Sequence, residues 1–174
     1  SDMKLMLPLL LLVTLVVTHL CFKSYLAIAL SLVLTTLTTS ICLALQYFLS
    51  AKINALVVLV VPIIWTIATL DAFHLYSRTV ILSRRNISNA ARCASRDLFL
   101  PCLLTTVTTA GCFLTLTFLD TSPLIVSFGI WCTAGAVLGF VLTFTVGTAL
   151  LSSYKPRHDS PRWPAQLSFR LVKW

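Results

Sequence analysis

Five long apolar runs dominate the sequence and limit what the chain can fold into. They cover residues 5–22, 25–49, 55–75, 98–119 and 124–151, and an α-helix needs about 20 such residues to cross a bilayer core of about 30 Å. Of the 174 residues, 58% are hydrophobic and 10% are charged, whereas soluble domains average about 25% charged residues. None of the runs shows the polar and apolar alternation of barrel strands. The sequence therefore predicts an all-α, polytopic membrane protein with five transmembrane helices.

The basic residues indicate how these helices are oriented. If the chain changes sides at every span, eleven of the thirteen Lys and Arg residues fall on one face, and only Lys4 and Lys52 on the other. Short loops that remain in the cytoplasm carry an excess of Lys and Arg. We therefore expect a multi-pass protein of the inner (plasma) membrane, with an extracytoplasmic amino terminus and a cytoplasmic carboxyl terminus. Anionic lipid accounts for the net charge of +8, so no nucleic-acid partner is needed.

The connector between the third and fourth spans is basic and has apolar residues at helical spacing. This pattern predicts an amphipathic helix over about 79–96 on the cytoplasmic surface, with Arg84, Arg85 and Arg92 at the lipid headgroups. An ordinary basic connector with some helix explains the periodicity equally well. We interpret residues 1–4 as an extracytoplasmic stub or tag, 5–151 as the transmembrane domain, and 152–174 as a basic cytoplasmic tail.

Asp71 lies near the end of the third apolar run. An ionised carboxylate at mid-membrane costs about 2.5 to 3.5 kcal/mol on insertion scales, so such residues tend to face the bundle interior and to have a function. His74 lies three residues further on, which predicts the same helical face and a shared hydrogen bond or proton. The alternative is that Asp71 lies at the inner interface, wetted by headgroups, with His74 an ordinary interfacial residue.

Small polar residues are concentrated in three of the spans. Two threonine clusters are present: Thr35, Thr36, Thr38 and Thr39 in the second span, and Thr105, Thr106, Thr108 and Thr109 in the fourth. A stripe with a four-residue repeat follows in the last span: Gly135, Gly139, Thr143 and Gly147. Threonine can hydrogen-bond to its own helix, and small residues let membrane helices approach closely. Both patterns therefore favour helix packing.

Several classes of chemistry have little support in the sequence. The six cysteines include no CxxC pair, so we expect no disulfide framework and no metal site. There is no glycine-rich phosphate loop, and the five acidic residues are all Asp, which leaves almost no material for paired-carboxylate hydrolysis. We therefore predict no cofactor and no enzymatic activity.

Three stretches resemble a known family. They are the third span ending in TLDAFHLYSR, the TTVTTAG entry of the fourth, and the SPLIVSFG opening of the last. Together with the runs around them, roughly residues 5–151, they look like the second to sixth transmembrane helices of one half of a resistance-nodulation-division transporter of the MmpL-like type. Related eukaryotic proteins have the same five-helix unit, called a sterol-sensing domain. Ala72 departs from the pattern, since the MmpL-like group usually has Tyr after the aspartate.

The resemblance implies a function and partners. It implies a proton-motive-force-driven exporter of lipids or other hydrophobic molecules, in which Asp71 belongs to the proton relay and Thr105 or Thr109 faces it. Expected partners are membrane lipids, the hydrophobic cargo, and either a missing second transmembrane half or a second copy of the chain. The alternative is a lipid-binding or sterol-sensing module that does not pump.

Overall fold

The computed structural model describes residues 12–13, 16, 25–50, 57–85, 87, 89–119 and 122–153. These residues form α1 (Tyr25–Ser50), α2 (Val57–Arg84), α3 (Ala90–Leu119), α4 (Pro123–Leu142), a π-helical turn (Thr143–Gly147) and α5 (Thr148–Ser153). The last three elements make one continuous rod. Within the described residues, four helices are long and apolar enough to cross a membrane, with α4, the π-helical turn and α5 counted as one.

The all-helical class predicted from the sequence is confirmed, but the count of five spans is not. The predicted span over residues 5–22 lies outside the described residues, apart from Leu12, Val13 and Val16, which are helical. The residues predicted to form a stub (1–4) lie outside them too, and so do those of the tail after Ser153. The other four predicted spans each correspond to a long helix.

The connector does not form a separate surface helix over 79–96, and this prediction is corrected. Instead, α2 runs on to Arg84 and α3 begins at Ala90. The helix ends because the amides of Arg85 and Ile87 both donate to the carbonyl of Leu82. Asn89 then adopts a left-handed φ of 62°, which Asn tolerates better than most residues and which a continuous helix does not allow. The segment is therefore two helix ends joined by a turn.

The arginines of this connector are placed differently from what one helix would require. Arg84 is at the end of α2, Arg85 is in the turn, and Arg92 is in the first turn of α3; all three are exposed. Arg78 and Asp97 join the two helices further along, with 2.7 Å between an Arg78 guanidinium nitrogen and the Asp97 Oδ2. The ends of α2 and α3 are thus held side by side.

Two apolar clusters form the core of the bundle. The Leu75 cluster includes Leu34, Ala72, Leu75, Tyr76 and Leu151. The Trp131 cluster consists of Cys42, Val60, Ile64, Trp131 and Cys132. Each cluster draws residues from α1, α2 and the α4–α5 rod. The burial of these side chains against one another supplies the packing contacts on which helix association in lipid depends.

The glycines of the small-residue stripe in the last span pack against α1 and α2. A Cβ at Gly135 would overlap the side chain of Ile64, and one at Gly139 would meet the Cβ of Ala68 and the Cγ2 of Thr38, each at 3.7 Å. A Cβ at Gly147 would lie 3.2 Å from methyl groups of Leu34 and Leu75. From Gly135 to Gly147 the residue numbers of the contacting partners increase along α2 and decrease along α1. The helix α4 therefore runs parallel to α2 and antiparallel to α1.

Candidate functional site

Asp71 lies in the middle of α2 rather than at its end. It is fourteen residues after Val57 and thirteen before Arg84, about 20 Å from either end of the helix. Its side chain is 6% exposed, and its Oδ2 atom is buried with no hydrogen-bond partner. Arg78, the nearest basic residue on the same helix, follows seven residues later, about 10 Å along the axis. The carboxyl group is therefore enclosed by protein and not by the polar helix ends.

Buried polar residues of neighbouring helices lie at the same level. We call this set the polar layer, and its members are Thr35, Thr38, Asp71, Thr106 and Thr143, all buried. On α1 the layer stands between Leu34 of the Leu75 cluster and Cys42 of the Trp131 cluster. On α2 Asp71 stands between Ile64 and Leu75, which belong to the same two clusters. The layer thus separates two apolar regions.

The other predicted relay residues are not gathered around Asp71. His74 is exposed, so the spacing of three residues does not bring it beside the buried carboxyl, and no hydrogen bond or ion pair joins these two described side chains. Thr105 is also exposed, and its hydroxyl donates to the carbonyl of Cys102 at 2.9 Å. Thr109 is half-buried. Of these residues, only Asp71 is buried in the bundle.

A different face of α3 approaches Asp71. The Cys102 thiol is near enough to the Asp71 carboxylate to interact with it electrostatically. Thr106, one turn along the same face, is 5% exposed and donates to the Cys102 carbonyl at 2.8 Å. Sequence reasoning missed Thr106 because adjacent threonines cannot be assigned to a face until the rotation of the helix is known, and its membership of the threonine cluster was the signal available. Cys102 was missed because a cysteine in an apolar span reads as a small apolar side chain.

Most buried threonine hydroxyls are satisfied by their own helix. Thr35, Thr38, Thr39 and Thr79 each donate to the carbonyl four residues earlier, all at 2.7 Å. This is how a hydroxyl is accommodated in an apolar bundle without a partner on another helix. Two threonines that are at least nine-tenths buried are exceptions, since the hydroxyl oxygens of Thr69 and Thr143 have no hydrogen-bond partner. Among the described residues, buried polar atoms without a partner therefore occur on Thr69, Asp71 and Thr143, and also on Gln46 and Thr148.

The described residues offer Asp71 no counter-charge. Their one ion pair joins Arg78 to Asp97, whose side chains are 39% and 46% exposed. In the same part of the chain, no group of three His, Cys, Asp or Glu residues could hold a metal ion. Within the described residues the carboxyl group therefore has the Cys102 thiol near it and no charged partner, and its ionised form carries a desolvation cost that the neutral acid avoids.

An apolar groove forms a second feature, at the other end of α1 from the Trp131 cluster. Its volume is about 430 Å³. Its lining comes from one end of α1 and from α5: Tyr25, Leu26, Ala29, Leu30, Val33, Leu150 and Leu151. Such a lining suits a hydrocarbon chain and offers few groups for recognising a polar ligand.

Comparisons with protein-family models, with curated proteins and with solved structures find no match to this chain.

Proposed function

We propose that this chain is the transmembrane part of a proton-motive-force-driven exporter of lipids or other hydrophobic molecules, of the resistance-nodulation-division type. The observation that carries the proposal is Asp71, a carboxyl group 6% exposed at the middle of α2 with an unpartnered oxygen. In this proposal Asp71 binds a proton from one side of the membrane and releases it to the other. The protein resides in the inner (plasma) membrane, with its carboxyl terminus in the cytoplasm.

The energetics of the carboxyl group supports this role. An ionised carboxylate at the bilayer centre costs about 2.5 to 3.5 kcal/mol on insertion scales, and neither an ion pair nor a hydrogen bond to Oδ2 offsets that cost here. The neutral acid avoids most of it. The two protonation states therefore differ in how well they fit the packed bundle, which is the property that couples proton binding to a conformational change.

The test is the neutral variant Asp71→Asn in the full-length protein. Reconstituted in proteoliposomes with an imposed pH gradient, it should export no lipophilic dye while keeping the thermal stability of the parent. Asp97→Asn is the matched control, because Asp97 is exposed and paired with Arg78, and it should retain export. Normal gradient-driven export by Asp71→Asn would overturn the proposal. Loss of folding in that variant alone would assign Asp71 to helix packing.

A second candidate function is favoured by the apolar groove of about 430 Å³ at Tyr25 and Leu150. In this alternative the chain binds a lipid or sterol between its helices without pumping it. Substituting Ala29 by Trp would fill the groove at a residue of its lining. If lipid binding is the function, a photoreactive lipid probe should label the parent and not Ala29→Trp, and Asp71→Asn should leave the labelling unchanged.

A further inference from the structure

The small-residue stripe and the buried carboxyl group lie at the same level of the bundle. Gly139 faces Ala68, and Gly147 faces Leu75. Thr143 is midway between the two glycines, and Asp71 lies between Ala68 and Leu75 on the parallel helix α2. Thr143 is therefore in register with Asp71 across the interface of these helices. Both side chains are at least nine-tenths buried, at 1% exposed for Thr143 and 6% for Asp71.

The π-helical turn explains why Gly147, four residues after Thr143, still faces α2. In an α-helix each four-residue step overshoots a full turn by about 40°, so a stripe repeating every four residues drifts away from its partner. A π-helical turn contains more residues than an α-helical one and reverses the drift. Here the π-helical turn begins at Thr143 and ends at Gly147, and Gly147 is again buried against Leu34 and Leu75.

Asp71 and Thr143 each have a buried oxygen without a hydrogen-bond partner. The Asp71 Oδ2 and the Thr143 Oγ1 are buried without any hydrogen bond, whereas the buried threonines of α1 bond to their own helix. Leaving a buried polar group unpaired costs about 1 to 3 kcal/mol. Thr69 of α2 is also buried without a partner, but it is two residues from Asp71 and so points about 200° away from it around the helix. Within the polar layer, Thr143 is therefore the threonine whose hydroxyl has no hydrogen-bond partner.

We propose that Asp71 and Thr143 together form a binding site for one water molecule, which links the carboxyl group to the hydroxyl across the α2–α4 interface. A buried water typically bridges two to four polar groups, and these two oxygens supply both an acceptor and a group that can donate or accept. The water can accept the proton from Asp71 within the polar layer, which has an apolar cluster on each side. Thr143 is a positioning residue, since it acts on the proton through the water.

This inference rests on the proposed function, and infrared spectroscopy can separate the two. Difference spectra between low and high pH are recorded for the full chain in lipid, and the carboxyl C=O band of Asp71 is identified by its loss in Asp71→Asn. In Thr143→Val the band should shift to higher frequency, because a hydrogen bond is removed. An O–H band that shifts in water labelled with heavy oxygen should disappear in the same variant.

The controls use the same π-helical turn. Thr145 is exposed and donates to the Val141 carbonyl at 2.6 Å, so Thr145→Val should leave both bands unchanged, and Thr143→Ser, which retains the hydroxyl, should restore them. An Asp71 band that is present and unmoved in Thr143→Val would overturn the water site while leaving the proposed function intact. Absence of a titrating Asp71 band in the parent would overturn the proposed function, and this inference with it.

Discussion

Alanine at two glycines tests how closely α3 and α4 approach. A Cβ at Gly129 of α4 would lie 2.6 Å from the backbone oxygen of Phe113 and 3.0 Å from the Cγ2 of Thr117 in α3. A Cβ at Gly111 of α3 would meet nothing within 4 Å. A backbone oxygen cannot rotate aside as the end of a flexible side chain can, so Gly129→Ala must move one helix relative to the other. Gly111→Ala requires no such movement.

The expected magnitudes follow from two opposing effects. Alanine is favoured over glycine in a helix by about 1 kcal/mol, and overpacking a close contact costs about 1 to 3 kcal/mol. Gly111→Ala should therefore raise the free energy of unfolding by up to about 1 kcal/mol. Gly129→Ala should be less stable than Gly111→Ala by about 1 to 3 kcal/mol, because the helix-propensity effect is common to both variants and cancels in the comparison.

Equilibrium unfolding of the full chain in lipid–detergent bicelles, followed by circular dichroism, measures this difference. Gly139→Ala serves as an internal standard, because its Cβ would meet neighbours only at the ordinary distance of 3.7 Å, and its stability should be close to that of Gly111→Ala. Equal stabilisation by Gly111→Ala and Gly129→Ala would show that α3 and α4 are further apart than the structure places them.

Three other predictions concern the ends of the bundle. Arg78→Gln should lower the free energy of unfolding by less than about 1 kcal/mol, with the loss shrinking at high salt, because its ion pair with Asp97 is partly exposed; a larger, salt-independent loss would argue against this. Gln46→Met should stabilise the chain by about 1 kcal/mol in chemical unfolding, because the buried Gln46 amide has no partner for either polar atom; destabilisation would reveal a partner. On a cysteine-free background, an impermeant thiol reagent applied outside should label Ser122→Cys and not Ser152→Cys; the reverse pattern would invert the topology.

Four of the five predicted spans coincide with long apolar helices among the described residues, because a long apolar run favours one continuous helix. The prediction for the connector was wrong for a physical reason. Apolar residues at helical spacing, such as Ile81 and Ala94, fit one surface helix or the ends of two helices equally well. What decides between them is the turn at Asn89 with its φ of 62° and the pairing of Arg78 with Asp97. The pairing of Arg78 with Asp97 is a tertiary contact, which the local spacing of apolar residues cannot predict.

The candidate site was predictable only in part. Asp71 was identified because a carboxylate within an apolar run has a large desolvation cost. His74 was assigned to its surroundings by spacing and Thr105 by the family resemblance, yet both are exposed. For His74 the reason is that a three-residue step rotates a side chain by about 60° relative to its predecessor. The level that Thr143 shares with Asp71 depends on the register of α4 against α2, which the sequence pattern does not specify.

The hydrogen bonds of the buried hydroxyl and carboxyl groups help to distinguish a structural role of Asp71 from a proton-binding role. The buried hydroxyls of Thr35 and Thr38 bond to their own helix and so carry no unpaired group into the core. Asp71 and Thr143 lie at the same level of the bundle, and each has a buried oxygen without a hydrogen-bond partner. Two apolar side chains of similar size would pack there with a smaller desolvation cost. Retaining both polar groups is costly for stability alone. The proton binding that we propose for Asp71 would give these two groups a reason to remain polar.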